Sequence, residues 1–161
     1  MAYHGLDTYL NDHLAGATAG VNLAEMAAEE HKQDDHGLFF GQIASDIKTD
    51  FATLESLMEE LAVDKSATKT AAAEVGSKVM RPKFTGDDDH LNAFVMLETL
   101  SIGVEGKLCM WKALKTVADG YPALAARDID DLLARAEDQR ARIEAKRLEI
   151  APDALAHTAP V

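Results

Sequence analysis

Apolar residues recur at three- and four-residue spacing in four long stretches, the period of one face of an α-helix. In the first, Leu6, Leu10, Leu14, Ala17, Val21, Ala24 and Ala28 predict a helix from about Asp7 to about Glu30, with Asp7 as its N-cap. The polar run His31-Lys32-Gln33-Asp34-Asp35 breaks that face and predicts a tight connection, with Asp34 or Asp35 capping the next helix. A second helix, His36 to Leu61, is predicted by Phe39, Ile43, Ile47, Leu54, Leu57, Met58 and Leu61. Asp50 falls in that same stripe, between Ile47 and Leu54, where an acidic side chain is out of place.

The pattern weakens from Ala62 to about Asp89, where Thr70-Ala71-Ala72-Ala73-Glu74 predicts a short helix and Arg81-Pro82 and Thr85-Gly86 act as breakers. A third helix begins after Asp87-Asp88-Asp89, a run that caps a helix and complements its dipole, and reaches about Ala118 before Gly120 and Pro122. Ile129, Leu132, Leu133, Ala136, Ile143 and Ile150 predict a fourth helix from about Asp128 to Ile150, with Pro152 as its stop. One domain is therefore expected over residues 1–151, with a flexible tail over 152–161. The connections run short, long, short, and the middle one has about 28 residues, enough to travel a pack of helices about 30 Å tall. That order implies an all-α, ferritin-like four-helix bundle, two antiparallel hairpins joined by a long crossover containing a short helix.

Composition narrows the class of partner. A formal charge of −12 repels phosphate backbones, so nucleic-acid binding is disfavoured. Cys109 is the only cysteine, which excludes an intramolecular disulfide and a cysteine metal cluster. Met1-Ala2-Tyr3-His4-Gly5 lacks a signal peptide's basic start, and there is no apolar run of about 18 residues. A cytoplasmic protein without membrane contact is the expectation.

Tyr9-Leu10-Asn11-Asp12-His13-Leu14-Ala15-Gly16, Gly103-Val104-Glu105-Gly106-Lys107-Leu108 with Trp111, and Arg135-Ala136-Glu137-Asp138-Gln139-Arg140 resemble a bacterial family within the ferritin-like superfamily. The resemblance spans roughly residues 6 to 152 and implies the fold, with no activity to transfer. A faint internal repeat agrees with it: Leu10-Asn11 and Gly16 match Leu97-Glu98 and Gly103 at the same offset.

Dimetal bundles of this kind take a Glu from each of two helices and Glu-x-x-His from the other two. Here Glu98 stands in one such place, Asn11 in its repeat partner, and Glu137 is followed three residues later by Arg140. No Glu-x-x-His occurs anywhere in the chain. Three readings follow. Arg140 neutralises inward carboxylates Asp50, Glu98 and Glu137 in a central ion-pair cluster; or Glu137 and Arg140 are a solvated surface pair; or Asp50, Glu98, Glu105 and Glu137 form a non-standard metal site. Glu98 and Glu105 are alternatively the polar flank of the third helix or part of an internal ion-pair ladder. His31 and His36, five apart, are off the spacing for joint metal ligation, and His13 reads as a structural histidine. Gly16 and Gly20 in the first helix, and Gly103 and Gly106 in the third, make small-residue faces that either meet inside the molecule or form a dimer seam. Met110 and Trp111 are expected in the core.

The function expected is a non-enzymatic bundle, structural, stress-related or interacting, without a cofactor and forming a homodimer. The alternative is a divalent-metal or redox protein, using iron or manganese at an altered carboxylate site. A third class is a small-ligand binder using the bundle interior.

Overall fold

The computed structural model describes residues 4–65 and 88–156, and all regular structure among them is helical. Helix α1 spans His4–Glu30, α2 Gly37–Glu60 and α3 Asp89–Val117. A 3₁₀ turn over Ala118–Gly120 leads to the short α4, Pro122–Ala125, and then to α5, Ile129–Leu155. The crossover and its short helix, expected between residues 62 and 89, lie largely outside the described residues.

Local chemistry accounts for the ends. Asp88 caps α3, its carboxylate accepting from the N–H groups of His90 and Leu91 at 3.1 Å each, and Asp128 caps α5 by accepting from the N–H of Asp131 at 2.9 Å. The expected cap of α2 by Asp34 or Asp35 is corrected: His36 is the N-cap and no side chain caps the helix, while Asp34 Oδ1 accepts from the His36 N–H at 2.8 Å within the preceding turn. Gly37 is required by close approach, since a Cβ there would meet the His31 carbonyl oxygen at 2.4 Å. Two expected boundaries are corrected. Helix α1 already includes His4, so Asp7 lies in its first turn instead of capping it. Helix α5 continues through Pro152 to Leu155, so residues 152–155 are not tail. Proline forgoes only one hydrogen bond at a helix end, and buried Ala154 with the Ala156 N–H bond to the Pro152 carbonyl holds the last turn.

Cross-helix contacts fix the directions. Glu25 pairs with Lys48, and Asn11 near the start of α1 donates to the Asp64 carbonyl just past α2, so α1 and α2 are antiparallel. Helices α3 and α5 are antiparallel by the Lys115–Asp130 and Glu98–Arg147 pairs. The His36 and His90 rings, 6.3 Å apart, put the starts of α2 and α3 at one end of the molecule. Leu61, which closes α2, and Asp88, which opens α3, therefore lie at opposite ends.

Two apolar clusters fill the interior. One holds Leu23, Phe40, Ile43, Leu97 and Ile143, the other Leu10, Leu57, Met58, Trp111 and Leu124. Each fully buried large apolar side chain stabilises by about 1.5–3 kcal/mol relative to exposure. Met110 and Trp111 are buried, as expected of core residues. Among the described residues no helix is long and apolar enough to cross a membrane.

Candidate functional site: a polar waist and an adjoining cleft

Helix periodicity alone brings three polar residues to the centre. In α2, Asp50 occupies the seam Ile43, Ile47, Asp50, Leu54, Leu57. In α3, Lys107 occupies the seam Leu100, Val104, Lys107, Trp111, Leu114. In α5, Gln139 occupies the seam Leu132, Ala136, Gln139, Ile143. Each follows the four-then-three spacing of its own apolar face, so each points where its neighbours point. They meet at the boundary between the two apolar clusters.

Asp50 Oδ1 accepts from Arg135 Nη2 at 2.6 Å. Its Oδ2 accepts from Lys107 Nζ at 2.5 Å and from Gln139 Nε2 at 2.6 Å. Lys107 also donates to Gln139 Oε1, closing a three-residue ring. The ring fixes the amide's direction, because lysine only donates and carboxylate only accepts. Side-chain exposure is 8% for Asp50, 16% for Lys107 and 35% for Arg135, while Gln139 as a residue is 2% exposed. Burial pushes the Lys107 ammonium pKa below its ordinary value and Arg135 pushes the same way, while the Asp50 carboxylate and its hydrogen bond pull it back up. One carboxylate thus faces two cations.

The expected cluster of Asp50, Glu98, Glu137 and Arg140 is corrected on three of its four members. Asp50 is buried and central. Arg140, 52% exposed, pairs with Glu105 at 2.9 Å on the surface, Glu98 is exposed and pairs with Arg147, and Glu137 is exposed. Arg140 is one residue past Gln139, and one residue turns a helix by about 100°, which takes it off the seam. The four metal candidates Asp50, Glu98, Glu105 and Glu137 do not converge, and among the described residues no group of three or more His, Cys, Asp or Glu is placed to hold a metal. The donor chemistry at the waist fits no divalent cation either. Its one carboxylate is taken by three donors, and the cluster carries a positive excess. Asn11, the repeat partner of Glu98, donates to the carbonyls of Asp7 and Asp64 and ties α1 to the end of α2.

The same waist is open on its other side. A cleft of about 320 Å³ lies between α1 and α3, walled by Gly16, Gly20, Leu100, Gly103 and Trp111 and reaching Asp50 and Lys107. Among the described residues, a Cβ added at Gly16, Gly20, Gly103 or Gly106 would meet nothing within 4 Å. Among the described residues the glycines therefore do not serve close packing, so the first of their two expected roles, meeting inside the molecule, is corrected. Each costs about 0.5–1 kcal/mol relative to alanine in a helix interior, with no packing gain to offset it.

A third polar group sits at the far end. His31, 4% exposed, shares a 2.6 Å contact with Asp34 through Nδ1 and stacks on Phe40. His36 lies edge-on to it at 5.8 Å, a proximity that their five-residue spacing conceals. His31 Nε2 and His36 Nδ1 are buried without hydrogen-bond partners among the described residues. Burial holds the His36 pKa below the usual histidine value, and Lys146, His31 and His90 add to this against the pull of Asp34.

Comparison with family models, curated proteins and solved structures finds no match for this chain.

Proposed function

We propose that this protein is a metal-free, non-enzymatic member of the ferritin-like superfamily. Its four long helices act as a scaffold or interaction protein, two antiparallel hairpins joined by a crossover. The helix directions and the opposite placement of Leu61 and Asp88 support the topology. The observation that carries the functional reading is the ring of Asp50, Lys107 and Gln139, closed over by Arg135. It occupies the centre of the helices, where a dimetal bundle projects its carboxylates and histidines. Lysine and arginine bring their own positive charge to a site that would otherwise need cations, and neither offers a lone pair to a metal while protonated.

Elemental analysis of protein purified from iron- and manganese-replete medium tests this. The expected content is well below one transition-metal ion per chain, with a melting temperature unchanged by added manganese or iron. A stoichiometric metal retained through gel filtration overturns the reading in favour of an altered carboxylate site.

A further inference from the structure

We propose that the cleft between α1 and α3 is a binding site for a small, mainly apolar molecule bearing one carboxylate, its headgroup read by Lys107. This goes beyond the metal-free reading and does not rest on it.

The volume of about 320 Å³ falls at the low end of the range for small-molecule pockets. Its walls are apolar side chains and bare helix backbone: Leu23, Leu54, Leu100, Val104, Met110 and Trp111 supply carbon surface. The glycines of both helices leave space at the mouth, since among the described residues nothing lies within 4 Å of their Cβ positions. The inner end is polar. Asp50 is almost wholly buried there, and its carboxylate is saturated by Lys107, Arg135 and Gln139. Lys107 uses two of its three ammonium hydrogens, on Asp50 and Gln139, which leaves one for a ligand acceptor. An incoming carboxylate meets the Lys107 ammonium and an Asp50 carboxylate already bonded to three donors, one of them Arg135, which lies outside the lining. At that inner end an incoming ammonium meets Lys107 and no carboxylate free of donors; Asp12, the other carboxylate of the lining, is exposed at the surface. Charge therefore selects an acidic headgroup, and the walls select an alkyl or aromatic body. Burial pushes the pKa of Lys107 down, and a bound carboxylate would favour its charged form.

Trp111 is the only tryptophan of the chain and borders the cleft, so its fluorescence reports occupancy. The probes are decanoate, decanol and decylamine, each kept below its aggregation threshold and titrated into the full chain. Saturable binding of one decanoate per chain is expected, with decylamine weaker by at least about tenfold, or about 1.4 kcal/mol. Gly103→Leu, which fills the mouth from an open position, is expected to abolish binding while the chain stays folded. Lys107→Met is expected to weaken decanoate to the level of decanol. If that chain fails to fold, the double variant Asp50→Asn with Lys107→Met gives the same comparison without a stranded buried carboxylate. Equal binding of decylamine and decanoate, undiminished binding by the Gly103→Leu chain, or no saturable binding overturns the proposal. So does a wild-type dimer that Gly103→Leu converts to a monomer, because the cleft would then be a seam between copies.

Discussion

The seam between α2 and α5 and the seam between α1 and α3 lie at the same level of the molecule and are built on opposite principles. Between α2 and α5 the backbones stay apart and long polar side chains cross the gap: Arg135 and Gln139 to Asp50, and Arg142 to Asp46, with Arg127 just before α5 reaching Glu60. Between α1 and α3 the backbones come closer, yet glycines withhold the side chains that would fill the surface between them. One seam is closed by charge at a desolvation cost, and the other is left open at a helix-propensity cost. Neither choice maximises stability. A stable core alone would have filled both with leucine, so the waist is where this sequence departs from what packing favours.

The largest effect that sharpens this contrast is expected from Asp50→Ala. It leaves Lys107 buried without its counter-ion and should destabilise by about 3–5 kcal/mol in urea unfolding. If the network is instead replaced as a unit, with Asp50, Lys107 and Gln139 all changed to leucine, the sign should reverse. Stability is then expected to equal or exceed wild type by about 1–4 kcal/mol, because the two buried charges are gone and Arg135, 35% exposed, can turn to water. On the open seam, Gly16→Ala and Gly103→Ala should each stabilise by about 0.5–1 kcal/mol, since the new methyl enters empty space. Gly37→Ala, forced against the His31 carbonyl, should destabilise.

Away from both seams, His36 gives a smaller, pH-dependent effect. Asp34, Lys146, His31 and His90 surround it, and its folded pKa lies below the unfolded 6.5. The unfolded chain then binds more protons, so stability is complete above about pH 6.5 and falls as pH drops through the folded value. His13, whose pKa burial also lowers against the pull of Asp12, acts in the same direction. Melting temperatures at about pH 7.5 and pH 5.5 should show this loss, and His36→Asn should reduce it. The smallest effect is expected from Arg140→Ala, which removes an exposed pair with Glu105 and should change stability by less than about 1 kcal/mol.

Much of this architecture is legible in the chain. The four apolar stripes predict the four long helices to within a few residues at most ends, and Asp50 stands out because its stripe is otherwise apolar. Lys107 and Gln139 carry the same signal, being in register with Val104 and Trp111, and with Ala136 and Ile143. They are easily passed over because a lysine and a glutamine look ordinary in helices that expose a face. Glu98, Glu137 and Arg140 match the places of metal ligands in dimetal bundles, but a rotation of about 100° per residue puts each beside a seam instead of in it. The glycine faces are equally visible in sequence. An absent side chain leaves either a contact or a hole, and helix separation decides which. That separation is set by residues elsewhere, including Leu23, Leu100 and Trp111.

A double-mutant cycle on Asp50 and Lys107, using Asp50→Asn and Lys107→Met, tests most directly that the waist is held by an internal ion pair. Unfolding free energies of the four chains are expected to give a favourable coupling of about 2 kcal/mol, within the range for residues in direct contact. A coupling indistinguishable from zero would contradict the account, because Asp50 and Lys107 would then contribute independently to the centre of the fold.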